Sequence, residues 1–176
     1  MPAFKLQFPA SEIEALATRF GYADDARLLA AGAAARARGY YTHEDFIDVC
    51  AWKTPRSRPK VTSNADTAVI EATRRALAAT DEGTRMTSLL ELAGVGAPTA
   101  SVLLYFAFPD DYPILDVRAL ESLGVRPRSQ YPVSFWLEYL AACRELARRF
   151  GVSIRTLDKA LWQHSKERAA ERLQVS

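Results

Sequence analysis

The stretch LLELAGVGAPTASVLLYFAFPDDYPILDVRAL, from Leu89 to Leu120, decides the fold of this chain. Apolar residues recur at helical spacing on both sides of Gly94-Val95-Gly96, and three residues are too few for an ordinary loop. The glycines must therefore turn the backbone sharply, which they can do because they have no Cβ atom. Such a turn exposes amide N–H groups beside the positive end of the second helix, an arrangement that can bind a phosphate. A turn that merely packs two helices together is the alternative.

An aspartate follows this hairpin after one more helix and a short apolar loop. The pattern predicts a helix over residues 97–108, a loop over residues 110–115, and a short helix from Asp116 to Leu123. As an N-cap, Asp116 would contribute about 1 kcal/mol to the stability of that helix. The apolar loop would also shield the carboxylate partly from water and fix its direction.

These motifs resemble those of the helix-hairpin-helix (HhH-GPD) DNA glycosylase superfamily, whose hairpin reads approximately LPGVGxxTA. The resemblance covers about residues 46–123 and is weaker for the two C-terminal helices. The matching residues are Leu92, Gly94, Val95, Gly96, Thr99 and Ala100, with Ala93 in place of the usual proline. The resemblance implies that DNA is the partner, that its backbone binds at Gly94, Val95, Gly96 and Thr99, and that Asp116 is the catalytic residue.

The chemistry of base removal gives a reason for a carboxylate at that place. Breaking an N-glycosidic bond leaves positive charge on the deoxyribose, so an ionised Asp116 beside the sugar would stabilise the oxocarbenium-like transition state. It could also orient or deprotonate the attacking water. Capping the helix and acting in catalysis are compatible roles.

Two departures from the family restrict the implied reaction. Bifunctional members carry a lysine two residues after GVG, where it forms a Schiff base with the sugar, but this chain has Pro98 there and proline has no amine. Members with an iron–sulfur cluster use four C-terminal cysteines, whereas this chain has only Cys50 and Cys143. We therefore expect a monofunctional enzyme without a cofactor. The interval before the hairpin is also short, and the sequence identifies neither a wedge residue nor a base pocket.

Helical patterns also cover the rest of the chain, and no segment alternates as a strand does. Ser11 is an expected helix start, because it can form a capping box with Glu14. The other expected helix starts are Asp24 or Asp25, Thr42, Asn64 or Asp66, Ser134 and Ser153. Gly39 is an expected helix end. Between Lys53 and Lys60, the prolines Pro55 and Pro59 predict an extended basic connector.

The same connector makes one strip of the surface basic, although the net charge is only +2. Its four cations are Lys53, Arg56, Arg58 and Lys60. We expect these cations and Arg118 to contact DNA phosphates. A solvated loop is the alternative for the four cations. Arg118 could instead pair with Asp116 or be a plain surface arginine.

The remaining distinctive side chains are expected to have structural roles. Trp52 is predicted to pack in the core, with a stacking platform as the alternative, and Trp162 is predicted to pack the last helix, with base binding as the alternative. His43 is expected at a helix start and His164 on the surface, because neither has a partner at metal-ligand spacing, so no metal site is expected. Cys50 and Cys143 lie in helical patterns and are expected as buried thiols. These two cysteines cannot form a disulfide framework.

Composition and length limit the class of protein. The chain has 176 residues, 49% hydrophobic and 25% charged, which is typical of a globular fold. Its longest apolar run, Val102 to Phe108, is far shorter than the roughly 20 residues that span a membrane. The N-terminus lacks the pattern of a secretory signal. We therefore expect a cytoplasmic protein without a membrane segment.

Together these features predict an all-α, two-lobed protein with a helix-hairpin-helix motif. Residues 42–115 are expected to form one lobe, and residues 1–41 with 116–176 the other, with DNA across the seam. The hypothesis for function is monofunctional removal of a damaged or mispaired base from DNA. A non-catalytic DNA-binding module of the same fold is the first alternative, and a helical interaction protein without a nucleic-acid role is the second.

Overall fold

A computed structural model describes residues 3–174, and within them it contains ten α-helices and no strand. The helices are α1 (Ile13–Arg19), α2 (Ala26–Arg38), α3 (His43–Lys53), α4 (Arg58–Thr62), α5 (Asp66–Ala78), α6 (Glu82–Leu90), α7 (Ala97–Ala107), α8 (Val117–Ser122), α9 (Val133–Phe150) and α10 (Ile154–Gln174). Short 3₁₀ turns, Ala10–Glu12 and Pro55–Ser57, precede α1 and α4. The all-α fold class is confirmed.

Several helix ends lie where local sequence signals predict them. The side chains of Asp25, Thr42 and Ser153 accept hydrogen bonds of 2.9–3.2 Å from first-turn amides of α2, α3 and α10. Gly39 ends α2 with a φ of +90°, a left-handed conformation that favours glycine. These ends depend on interactions within a few residues, which explains why the sequence reveals them.

Two expected caps are wrong. Ser11 lies inside the 3₁₀ turn before α1, whose N-cap is Glu12, and neither element has a side-chain cap. Ala65, rather than Asn64 or Asp66, is the N-cap of α5 and makes no side-chain hydrogen bond there. Asn64 is instead used for a tertiary contact described below.

The extended connector expected between Lys53 and Lys60 is also wrong. These residues form the 3₁₀ turn Pro55–Ser57 and the start of α4. Pro55 and Pro59 lie in the first turns of these elements, where a missing N–H group leaves no helical hydrogen bond unmade. The prolines therefore start two helical turns and keep the basic side chains on a compact surface.

Helix packing arranges the chain around α7 and α10. The first group has α7 in contact with α2, α3 and α6, and the second has α10 in contact with α1, α8 and α9. Because α2 packs on α7 and α3, it lies with the helices of residues 42–115, which departs from the expected grouping of residues 1–41 with 116–176. The buried apolar side chains of both groups form one continuous core.

Gly32 of α2 lies directly against the backbone of α7. A Cβ atom built on Gly32 would be 1.9 Å from the carbonyl oxygen of Phe106 and 2.9 Å from the amide nitrogen of Ala107. Both distances are far inside van der Waals contact. Only glycine therefore lets α2 approach the most buried helix this closely.

We expect Gly32→Ala to destabilise the protein by about 2 kcal/mol or more, because α2 must move away from α7. Alanine is otherwise the better helix former, so helix propensity alone predicts a small gain. Gly21→Ala is the control, since a Cβ atom there meets nothing within 4 Å. Urea denaturation of both variants measures the effect. Equal stability of Gly32→Ala and the parent would contradict the close approach.

Candidate functional site

The glycine turn between α6 and α7 rests on α4. Gly94 has a φ of +79°, and a Cβ atom built on it would lie 2.9 Å from the Cβ atom of Lys60. The Asn64 side chain holds the turn by donating to the carbonyl of Ala93 at 3.0 Å and accepting from its amide at 2.8 Å. The turn is therefore fixed from one side, and it shares a surface with the basic segment.

The free donors of this turn belong to the backbone. Gly96 is exposed and Gly94 partly exposed, and within residues 3–174 neither amide has a hydrogen-bond partner. The side chains of Val95 and Thr99 are buried, and the Val95 amide donates to the carbonyl of Leu92 at 3.2 Å. At these two positions a ligand could meet only the backbone. The predicted contact of Gly94, Val95, Gly96 and Thr99 with DNA stays a prediction.

Asp116 is the N-cap of α8, as predicted. Its Oδ1 atom accepts from the Arg118 amide at 2.9 Å, and its Oδ2 atom accepts from Nζ of Lys53 at 2.5 Å. The exposed fractions of the Lys53 and Asp116 side chains are 13% and 26%, so most of this ion pair is shielded. Lys53, which we expected at DNA phosphates, therefore has its ammonium group on Asp116.

Two buried side chains hold the loop that leads to Asp116. Asp158 of α10 accepts a hydrogen bond of 2.9 Å from the Ile114 amide. Tyr139 of α9 donates one of 2.8 Å to the Ile114 carbonyl. Both backbone groups of Ile114 are thus satisfied away from water, as a buried loop requires.

A third side chain links this loop to the hairpin. Ser101 of α7 accepts a hydrogen bond of 2.9 Å from the Leu115 amide and donates one of 2.7 Å to the carbonyl of Pro98. Leu115 immediately precedes Asp116, and Pro98 follows the glycine turn. The position of Asp116 relative to the first turn of α7 is therefore fixed by one buried hydroxyl group.

A small groove lies between the first turn of α7 and Asp116. It has a volume of about 160 Å³ and is lined by Lys53, Pro98, Leu115, Asp116, Val117 and Tyr131. Pro98 is two residues from Gly96, so the groove begins beside the turn. The first turn of α7 and Asp116 therefore line the same groove.

Lys53 and Asp116 also line a second, mostly apolar cavity of about 260 Å³, which we call the aromatic cavity. It is lined by Phe20, Tyr22, Ala23, Trp52, Lys53, Ile114, Asp116, Ala119, Arg155, Asp158 and Trp162. The rings of Phe20, Tyr22 and Trp162 pack edge to face, with centroids 5.2–5.6 Å apart. This volume is near the lower end of ordinary ligand pockets, roughly 300–1,000 Å³.

The expected core position of Trp52 is wrong, whereas Trp162 packs the last helix against Phe20, as predicted. Trp52 ends α3 with 43% of its surface exposed, and its ring meets Phe106 edge-on at 5.3 Å. Trp162 is partly buried in the wall of the aromatic cavity. The guanidinium of Arg118 lies 5.2 Å from the centre of the Trp162 ring, so Arg118 pairs with this ring rather than with the Asp116 carboxylate.

Asp158 is the most buried charged group of the aromatic cavity, with 5% of its side chain exposed. Burial raises its pKa to about 7, against the opposing effects of Arg155 and of the Ile114 amide. Arg155 is 3.7 Å away and bonds more closely, at 2.7 Å, to Asp24. The cavity therefore contains a carboxyl group that holds its proton up to neutral pH.

Sequence reasoning missed Asp158, although a signal was present. Ile154, Leu157 and Leu161 mark the buried face of α10, and Asp158 lies on that face at the same helical spacing. A carboxyl group among core positions needs a partner or a function. Ser101 gave a similar signal, because it is a polar residue in the buried helix α7.

The rest of the basic strip is divided between paired and free cations. Arg58 is 3.6 Å from Asp48. Arg56 and Lys60 are exposed and make no ion pair within residues 3–174. These two cations therefore have charge available for a ligand near the hairpin.

The described part of the chain has no group of three His, Cys, Asp or Glu side chains that could hold a metal ion. Cys50 and Cys143 are buried free thiols, as predicted. His43 begins α3, as predicted, and its ring lies 2.7 Å from Asp66. His164 is partly buried against a phenylalanine ring rather than free on the surface. No helix within residues 3–174 has the length and apolarity needed to cross a membrane.

No family model, curated protein or solved structure matches this chain. The helix-hairpin-helix resemblance therefore rests on the hairpin residues and on Asp116 themselves. Any function assigned to the protein must follow from the geometry around Asp116.

The raised pKa of Asp158 predicts how stability varies with pH. Between about pH 4 and 7 the folded protein keeps this proton and the unfolded chain has lost it, so the contribution of Asp158 to the free energy of unfolding falls as pH rises. The amide introduced by Asp158→Asn cannot titrate. We expect the stability of Asp158→Asn relative to the parent to rise by about 1 kcal/mol per pH unit from pH 5 to 7.

Denaturant unfolding across this pH range measures the difference. Glu167→Gln is the matched control, because hydrogen bonds from Arg19 and Gln163 lower the pKa of Glu167 to about 2. Glu167 is ionised in both states above pH 6, so its variant should differ from the parent by a constant amount there. A constant difference for Asp158→Asn as well would contradict the buried, protonated carboxyl.

Proposed function

We propose that this protein is a monofunctional DNA glycosylase that hydrolyses the N-glycosidic bond of a damaged or mispaired base. One observation carries the proposal: Asp116 lines both the groove that begins at the hairpin and the aromatic cavity. A strand held at the hairpin would bring its sugar to Asp116 while its base entered the cavity.

The hairpin would bind the strand through its backbone. The unpaired amides of Gly94 and Gly96 lie at the start of α7, where the helix dipole also favours an anion. Lys60 packs against Gly94 and is free of ion pairs within residues 3–174. These donors and the nearby Arg56 would position DNA without reading its sequence.

The aromatic cavity would hold the extruded base. A glycosylase must take its target out of the base stack, at a cost of a few kcal/mol, and recover that energy in its pocket. Stacking of a base on an aromatic ring is worth about 1–3 kcal/mol. The exposed ring of Trp52, which lines the cavity, suits stacking on the extruded base.

Asp116 would act on the sugar. Its carboxylate would stabilise positive charge as the bond to the base breaks, and would then accept a proton from the attacking water. Lys53 and the Arg118 amide fix the direction of the carboxylate before substrate arrives. Such preorganisation means that little rearrangement is needed at the moment of reaction. Pro98 leaves no amine in the first turn of α7, and the amine of Lys53 is engaged in the ion pair with Asp116, so the proposed reaction is hydrolytic and has no covalent intermediate.

A DNA-binding module without catalysis is the second candidate, and one observation favours it. Both oxygens of Asp116 already have a partner, which is also what a purely structural N-cap would show. This candidate keeps the hairpin and the basic side chains but assigns no reaction to the aromatic cavity.

A single-turnover assay on duplexes that each contain one altered base distinguishes the two. We expect Asp116→Asn to slow base release by about 100-fold or more, since removing one preorganised charge from a site typically costs that much. Asparagine is as good an N-cap as aspartate, so α8 should stay folded. Asp110→Asn, in the exposed turn after α7, is the matched control. Equal release by the parent and by Asp116→Asn would remove Asp116 from the mechanism, and release by neither would favour the module.

The salt dependence of DNA binding tests the basic surface. Each phosphate contact contributes about one to the slope of log K against log salt. We expect Lys60→Ala and Arg56→Ala each to lower the slope by roughly one. Arg148→Ala makes the same change in net charge but removes a cation that is paired with Glu145, so it should leave the slope unchanged. If all three variants behave alike, only net charge matters and the proposed surface is wrong.

A further inference from the structure

The aromatic cavity contains a second carboxyl group for which the proposed reaction has no use so far. Asp158 reaches the cavity from α10, and Asp116 from the start of α8. The two carboxyl groups have opposite environments. Asp116 is partly exposed and bonded to an ammonium group, whereas Asp158 is enclosed and bonded to one backbone amide.

The surroundings of Asp158 keep its proton available. The titratable groups that face it from the packed elements are Arg155 on its own helix, Lys53 on α3, Tyr105 on α7, Asp116 in the loop, and Tyr139 and Cys143 on α9. Of the two cations, Lys53 is bonded to Asp116, and Arg155 is closer to Asp24 than to Asp158. Burial raises the pKa of Asp158 to about 7, so the neutral acid is populated at physiological pH.

A departing base needs such a proton. When the bond between sugar and base breaks, its electron pair stays on the base, and a neutral purine leaves far more easily if a ring nitrogen has been protonated. Pairs of carboxyl groups whose environments separate their pKa values commonly divide the acid and base roles of a hydrolysis.

We propose that Asp158 is the general acid of this site and that its substrates are neutral purines, an inference that rests on the proposed glycosylase function. The proton moves from the Asp158 carboxyl to N3 or N7 of the purine, and the bond between C1′ and N9 breaks with its electron pair on the base. Water then adds to C1′ and gives its proton to Asp116. Solvent returns the proton to Asp158, so the base leaves neutral and no other reactant is consumed.

The test compares leaving groups that differ in their need for a proton. Hypoxanthine and adenine are neutral purines, whereas 7-methylguanine already carries the positive charge and leaves without protonation. General acid catalysis is worth about 10²–10⁴-fold in rate. We expect Asp158→Asn to slow release of the neutral purines by 100-fold or more, and release of 7-methylguanine by less than about threefold.

Two further variants separate catalysis from structure. Asp158→Glu keeps an acid and should restore part of the rate on neutral purines, which a purely structural loss would not allow. Glu121→Gln makes the same carboxyl-to-amide change on α8, where the carboxylate accepts from Ser165 outside the cavity, and should leave all rates unchanged. The rate at which the parent releases neutral purines should fall as pH rises through about 7. The rate of Asp158→Asn should not show this fall.

Every outcome bears on the inference. Selective loss on neutral purines supports it. An equal loss on 7-methylguanine would make Asp158 a positioning residue for the loop, and release of only pyrimidines or only 7-methylguanine by the parent would show that no acid is used. Both results overturn the inference but leave the proposed glycosylase function in place. Release of no base at all by the parent overturns the glycosylase itself, and the inference with it.

Discussion

The site depends on a buried loop whose backbone is hydrogen-bonded by side chains from three helices. Ser101, Tyr139 and Asp158 bond to the amide and carbonyl of Ile114 and to the amide of Leu115, which are buried residues. An unsatisfied buried amide costs about 1–3 kcal/mol, so these bonds allow the loop to lie between α7, α9 and α10. The direction in which Asp116 leaves the loop follows from them.

The same loop joins two features that have different physical requirements. A phosphate site needs exposed backbone donors and positive charge, and the hairpin on α4 supplies both. A site for bond cleavage needs charge in a partly dry, preorganised place, and the Lys53–Asp116 pair beside the aromatic cavity supplies that. Because Ser101 bonds to both Pro98 and Leu115, the two features keep a fixed separation.

Asp158 has two consequences that are physically linked. Its burial makes it a weak acid suited to proton donation, and the same burial costs stability once it ionises. A protein selected only for stability would gain from an uncharged side chain that still accepts the Ile114 amide. A buried carboxyl with a raised pKa that lines a cavity is a combination that functional sites often show.

The sequence by itself determined what neighbouring residues decide among themselves: the helical class, the caps at Asp25 and Thr42, the turn at Gly94, and Asp116 as an N-cap. The predicted extended connector was wrong because one local signal has two outcomes: prolines such as Pro55 and Pro59 can end a helix or begin one. Tertiary structure alone decided that Lys53 bonds to Asp116 and Asp158 to Ile114, pairs that are 63 and 44 residues apart in the chain. Cap and turn energies depend on backbone angles within a few residues, whereas these contacts exist only after distant helices have packed. The aromatic cavity depends on that packing in the same way, because α3, α10 and the segment between α1 and α2 all contribute to its wall.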